Sequence, residues 1–127
     1  MEELAQPTEA ELEVLQALWE NQPATVREVH ERIERSRPIS YTTILTQLQR
    51  LHAKGLLERE RRGKQHVYRG VHSREEVERG LLYRLADHAF GGSAVQLALR
   101  ALGDGQPTPE ELDQLEKWVA EQKNKQP

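Results

Sequence analysis

From Ser36 to Leu57 the sequence has no acidic residue, and within that stretch Ser40, Thr42, Thr43, Thr46, Gln49 and Arg50 recur at helical spacing. With each residue turned by about 100° from the last, Ile44, Leu48 and Leu51 gather on one side. Thr42, Thr46, Gln49 and Ala53 gather on the other, flanked by Thr43 and Arg50. Hydroxyls, an amide and a guanidinium are suited to reading base edges. Threonine offers a hydroxyl and a methyl that fits thymine, glutamine pairs with adenine, and arginine with guanine or phosphate. A merely solvated face carries Glu and Lys, and threonine is a poor helix former, so this composition points to recognition. Arg59, Arg61, Arg62 and Lys64 flank Gly63 and suit phosphate oxygens or a minor groove. The same charges also discourage sheet edges from pairing.

Catalytic and metal chemistry find little support. There is no cysteine, which excludes disulfides, thiolate metal sites and a cysteine nucleophile. His30, His52, His66, His72 and His88 show no close pairing of the HxH or HxxxH kind. Asp87-His88 beside Gly91-Gly92 reads as a surface pair rather than a metal site, and those glycines follow no strand, so they make no phosphate loop. We expect no enzyme, no cofactor and no metal.

Charge is unevenly distributed. The net charge is −3, but residues 1–34 carry nine glutamates against Arg27 and Arg32, while residues 35–72 carry nine Lys or Arg against Glu58 and Glu60. A basic segment inside an acidic chain is the footprint of a local phosphate-binding surface. No apolar run approaches the ~18 residues of a membrane span, and the acidic start Met1-Glu2-Glu3 is unlike a signal peptide. A cytoplasmic protein without membrane insertion is expected.

The elements that must hold these residues begin with capping boxes at Thr8/Glu11, Thr25/Glu28, Ser73/Glu76 and Thr108/Glu111, where hydroxyl and carboxylate satisfy backbone N–H groups reciprocally. A first helix over about 9–20 presents Leu12, Leu15, Leu18 and Trp19 on one face; a second, about 26–35, buries Val26, Val29 and Ile33. The third runs from Ser40 to about Lys54 and ends at Gly55. Leu56–Glu60 and Gln65–Val71, separated by Arg62-Gly63-Lys64, read as a hairpin, with Val67 and Tyr68 packed on the third helix. The predicted fold is mainly α with a small β-hairpin: a winged helix-turn-helix domain over 1–72 and a three-helix dimerisation region over 73–127.

That second region is predicted as helices over about 74–90, to about 102, and to about 123, with a frayed end at 124–127. Val77, Leu81, Leu85 and Ala89 recur every four residues, with Leu82, Ala86 and Phe90 alongside. Fifty-five residues in three helices hold a poor core alone, and a second copy would bury the surplus. Val77, Leu81, Leu85, Phe90, Leu99, Leu115 and Trp118 are the expected dimer contacts; packing on the winged helix is the alternative. Two other functions make different demands on the sequence. Protein–protein contact through the third helix would favour acids on its exposed face, which are absent. Direct small-molecule sensing would need an aromatic-lined interface, and only Tyr83, Phe90 and Trp118 are available.

Thr8-Glu-Ala-Glu-Leu-Glu-Val-Leu-Gln-Ala-Leu-Trp19, Thr25-Val-Arg-Glu-Val29 and Ser40–Gly55 resemble the penicillinase repressor (BlaI/MecI/CopY) family over nearly the whole chain. The resemblance implies a homodimeric repressor on an inverted-repeat operator overlapping a promoter, joined through its carboxyl-terminal helices. It places Thr42, Thr43, Thr46 and Arg50 at double-stranded DNA, with Ser40, Gln49, Arg62 and Lys64 completing the expected contact set. The copper-responsive branch uses a carboxyl-terminal cysteine cluster, absent here. In the β-lactam branch a membrane-bound sensor protease cuts an Asn-Phe bond; Arg84-Leu85 aligns there.

Overall fold

The computed structural model describes residues 5–127; the acidic start Met1-Glu2-Glu3 lies outside them. The order is α1 (Glu9–Glu20), β1 (Ala24–Thr25), α2 (Val26–Glu34), α3 (Tyr41–Ala53), β2 (Leu57–Arg62), β3 (Gln65–Gly70), α4 (Arg74–Ala89), α5 (Ala94–Asp104) and α6 (Pro109–Lys125). The chain forms two compact units, one ending at Leu81 and the other Leu82–Pro127, so the division falls inside α4.

In the first unit, helix starts follow local chemistry. Thr8, Thr25 and Thr108 of the second unit each form the full capping box with Glu11, Glu28 and Glu111. Ser73 forms part of one, its Oγ accepting from the Glu76 N–H at 3.1 Å. The sheet order is β1-β3-β2, all antiparallel. β1, two residues long, was invisible to a period-two reading; it exists because the chain entering α2 runs along β3, pairing Ala24 with Tyr68 and Thr25 with Val67.

The hairpin turn is tighter than expected. Arg62 pairs with Gln65, leaving Gly63-Lys64 as a two-residue turn. Gly63 takes φ of 63° and no residue other than glycine has positive φ among the described residues, the pattern of a II′ turn.

Leu15, Leu18, Val29, Ile44, Leu48, Leu51 and Tyr68 are fully buried and join α1–α3 to the sheet. The buried face of α1 differs from the sequence reading: Glu11, Val14, Leu15, Ala17 and Leu18 are buried, whereas Leu12 and Trp19 are only half-buried. A carboxylate occupies what the hydropathy pattern would give to leucine, because Glu11 serves the helix cap and a cation at once. Val77 is buried in this same core and Leu81 packs against it, so the first two turns of α4 belong to the winged-helix unit.

In the second unit, α5 and α6 have no buried residue, and α6 continues through Asn124 to Lys125 rather than fraying at 124. No helix among the described residues is long and apolar enough to cross a membrane.

Candidate nucleic-acid interface

Both ends of α3 are set by its own sequence. Ser40 Oγ accepts from the Thr43 N–H at 3.1 Å. At the other end Leu56 N–H donates to Leu51 O and Gly55 N–H to His52 O, each at 3.0 Å, with Gly55 at φ 81°. That double bond pattern is a Schellman motif, and it needs a residue at ease in the left-handed region.

Ile44, Leu48 and Leu51 turn inward with no exposed surface, which turns Thr42, Gln49 and Arg50 outward; all three are exposed, and Thr46 is half-buried. Thr43 is exposed too, but its hydroxyl lies 2.7 Å from that of Ser40, so these two are coupled at the helix start. Thr42, Thr46 and Gln49, flanked by Thr43 and Arg50, thus share the outer surface of α3, with Ser40 at its cap, while Tyr41, which the sequence reading passed over, stands 48% exposed at its first turn.

The turn before α3 is held from several sides. His30 Nε2 donates to the Ile39 carbonyl at 2.7 Å, lies 3.3 Å from Glu34 Oε2 and meets Tyr41 edge-on, with centroids 5.9 Å apart. Arg37 grips Glu13 with two hydrogen bonds, one from Nε at 3.0 Å. That pairing holds the Glu13 carboxyl below its ordinary pKa. At the far end Lys54 reaches Glu11 Oε1 and the Gln6 carbonyl. Burial pushes the Glu11 carboxyl up, but the Lys54 ammonium and the Thr8 N–H and hydroxyl outweigh it and hold the pKa below normal.

Period two divides the hairpin's cations between its faces. Glu58 pairs with Arg69, and their side chains meet at 3.1 Å; Glu60 and Arg62 lie on the same side, 3.8 Å apart. Arg59 and Arg61 alternate to the other side, opposite Tyr68 and His66. Arg62 and Lys64, grouped together from sequence, are therefore on unlike surroundings. Lys64 borders a groove of about 660 Å³ toward α3, and Arg62 borders another crevice with Glu58 and Glu60. The alternation in Glu58-Arg-Glu-Arg-Arg62 was the available signal.

The expected dimer residues are also divided. Val77 is buried in the core of the winged-helix unit, and Leu81, half-buried, packs against the same core. Leu85, Leu99 and Trp118 are 50%, 58% and 59% exposed, and Phe90 and Leu115 are half-buried. Trp118, Leu115 and Leu102 line a cleft between α5 and α6. Arg84-Leu85 lies inside α4, and both residues are exposed. Among the described residues no group of three or more His, Asp or Glu is arranged to hold a metal ion.

Comparison with known proteins gives a consistent result. The family model described as penicillinase repressor matches residues 7–121. The transcriptional regulator BlaI of Mycobacterium tuberculosis (strain ATCC 25618 / H37Rv) is 37% identical over 100 residues, which is 78% of this chain and 72% of that protein. The penicillinase repressor of Bacillus licheniformis is 26% identical over 125 residues, 98% of each. Two solution structures, of monomeric Bacillus licheniformis BlaI with the blaP half-operator and of the DNA-binding domain of the repressor BlaI, superpose with TM-scores of 0.51 and 0.52. Both are 30% identical and cover 60% of this chain and 93% of theirs. The fold and the family match thus define a winged-helix, DNA-binding transcriptional regulator. The chain belongs to the penicillinase repressor family.

Proposed function

We propose that this chain represses transcription as a homodimer on an inverted-repeat operator, each copy laying α3 in a major groove. The observation that carries the reading is the outer face of α3: Thr42, Gln49 and Arg50 exposed, Thr46 beside them, and no carboxylate from Ser36 to Leu57. Arg50 has the geometry class that discriminates guanine, while Thr42, Thr43 and Ser40 lie at a helix start suited to a backbone oxygen. Lys64 follows the phosphate backbone from the hairpin; Arg62, beside Glu60, contributes less.

Two copies are favoured because Leu85, Leu99 and Trp118 leave large apolar areas in water, and a symmetric pairing buries the same patch twice. Two recognition helices about one helical turn apart then read the two halves of a palindrome. In this reading the second unit, together with the α4 residues beyond the winged helix, is the dimerisation region. A membrane-bound sensor protease is the releasing partner that the β-lactam branch of the family implies. Its Asn-Phe bond has no counterpart here, where Arg84-Leu85 aligns, so release by a ligand stands beside it.

The test is operator selection from a random duplex pool followed by binding of Arg50→Ala. We expect a loss of about 1–3 kcal/mol on the selected sequence and relaxed preference at one base position. Unchanged affinity and preference would remove Arg50 from the reading face, and failure of the wild-type chain to select any sequence would overturn the repressor reading.

A further inference from the structure

The groove between α2, α3 and the hairpin is lined by Arg27, Arg59, Lys64 and His66 together with Tyr41 and Gln49. Among the described residues none with a carboxylate lines it, although the chain has 21 acidic residues and a net charge of −3. The contrast with the hairpin's other face is local. There the crevice, which Arg59 also borders, includes Glu58 and Glu60 among its lining, and Arg62 and Arg69 are each matched to one of them. Strand alternation, not distance along the chain, keeps these glutamates out of the groove.

Three elements contribute to it by separate means. Thr25 caps α2 and so starts that helix beside β3, to which Thr25 itself is paired through Val67. Arg27, in the first turn, approaches the exposed Glu31 at 3.9 Å. Tyr68, buried in the core and paired across the strands with Arg59, fixes the hairpin against the helices. Gln49 is shared with the outer face of α3, so the groove opens directly beside the proposed reading surface.

We propose that this groove seats one phosphodiester of the DNA backbone, clamped between Arg27 of α2 and Arg59 of β2, with Lys64 and the Tyr41 hydroxyl at its rim. The proposal rests on the DNA-binding reading above and adds a site to it. Guanidinium groups from two elements on one phosphate would fix how far α3 rolls in the major groove. The clamp carries no sequence information itself; it sets register.

The same chemistry would accept a free phosphorylated small molecule, and the experiment separates the two sources. Full-length protein, as wild type, Arg27→Gln, Arg59→Gln and the double variant, is titrated with the selected operator and with random-sequence duplex over a range of salt. Each single variant is expected to weaken both duplexes by roughly tenfold. The losses should not multiply in the double variant, because the two residues share one ligand. The salt slope of the double variant should fall by about one. Arg69→Gln, on the other face and paired with Glu58, should leave the slope as it was.

Multiplying losses would mean two independent surface charges and would overturn the clamp, as would an unchanged salt slope. A loss confined to the operator would mean base reading instead. Titration of the DNA-free protein with inorganic phosphate, followed by the amide resonances of the groove, covers the other source. Saturable binding abolished by Arg59→Gln, with duplex affinity untouched, would reassign the groove to a small anion. If wild type itself binds no duplex, the parent reading fails; if it binds and the variants match it, only the clamp fails.

Discussion

Glu11 is 2% exposed, yet its carboxyl remains easily ionised because Lys54 and Thr8 supply hydrogen bonds to the charged form. Its folded pKa lies below the ordinary value of 4.5. The group therefore stabilises the fold above that pH, and the contribution is lost as pH falls through the lowered folded value. Glu13 and Glu28 shift in the same direction, through Arg37 and through the Thr25 N–H respectively. Urea unfolding between neutral and acid pH should show stability declining below about pH 4.5, and Glu11→Gln should flatten part of that decline. Lys54→Met leaves the carboxylate buried without its cation and should cost on the order of 1–3 kcal/mol at neutral pH. A Lys54→Met protein as stable as wild type would show that the pair is dispensable.

At the scale of elements, α3 is aimed by its preceding turn. The His30 bond to the Ile39 carbonyl sits one residue before the Ser40 cap, and the His30 ring supports Tyr41. His30→Ala should lower stability by about 1 kcal/mol and narrow the gap in affinity between operator and random duplex, since a loosened helix reads bases less well. His30→Gln, which keeps a donor, should recover part of both. If discrimination stays at the wild-type level while stability falls, His30 supports only the fold. Most of this architecture was legible in the residues: caps at Thr8, Thr25 and Thr108, the inward set Ile44, Leu48 and Leu51, and the stop at Gly55 are local signals. β1 was not legible, because a two-residue strand owes its existence to the partner strand rather than to its own pattern. Nor was the inward turn of Glu11, which depends on Lys54 arriving from the end of α3.

For the whole molecule, α4 connects two kinds of surface. Val77 and Leu81 complete the winged-helix core, whereas Leu82, Leu85 and Tyr83 further along are 55%, 50% and 74% exposed. If the proposed homodimer forms through this surface, Leu99→Glu should convert dimer to monomer in sedimentation while leaving the winged-helix unit folded, and operator affinity should drop because two linked heads act at a high effective concentration. Leu81→Glu should instead lower the stability of the winged-helix unit, since a charge would enter the margin of its core. A dimer that survives Leu99→Glu would move the contact surface away from α5.

The sequence by itself determined the helix starts and stops, the outward face of α3 with Thr42, Thr46, Gln49 and Arg50, and the concentration of basic charge in residues 35–72, because caps, periodicity and charge are all read within a few residues. The likeness of Ser40–Gly55 to one repressor family was legible there too. Only the tertiary structure decided which cations share a surface. It separated Lys64 from Arg62, set Arg59 between the two surfaces, brought Arg27 to the groove of Lys64 from another helix, and packed Val77 and Leu81 on the winged-helix core. Those outcomes depend on which elements pack together, and packing partners are set by the surface a distant segment leaves uncovered rather than by any local pattern.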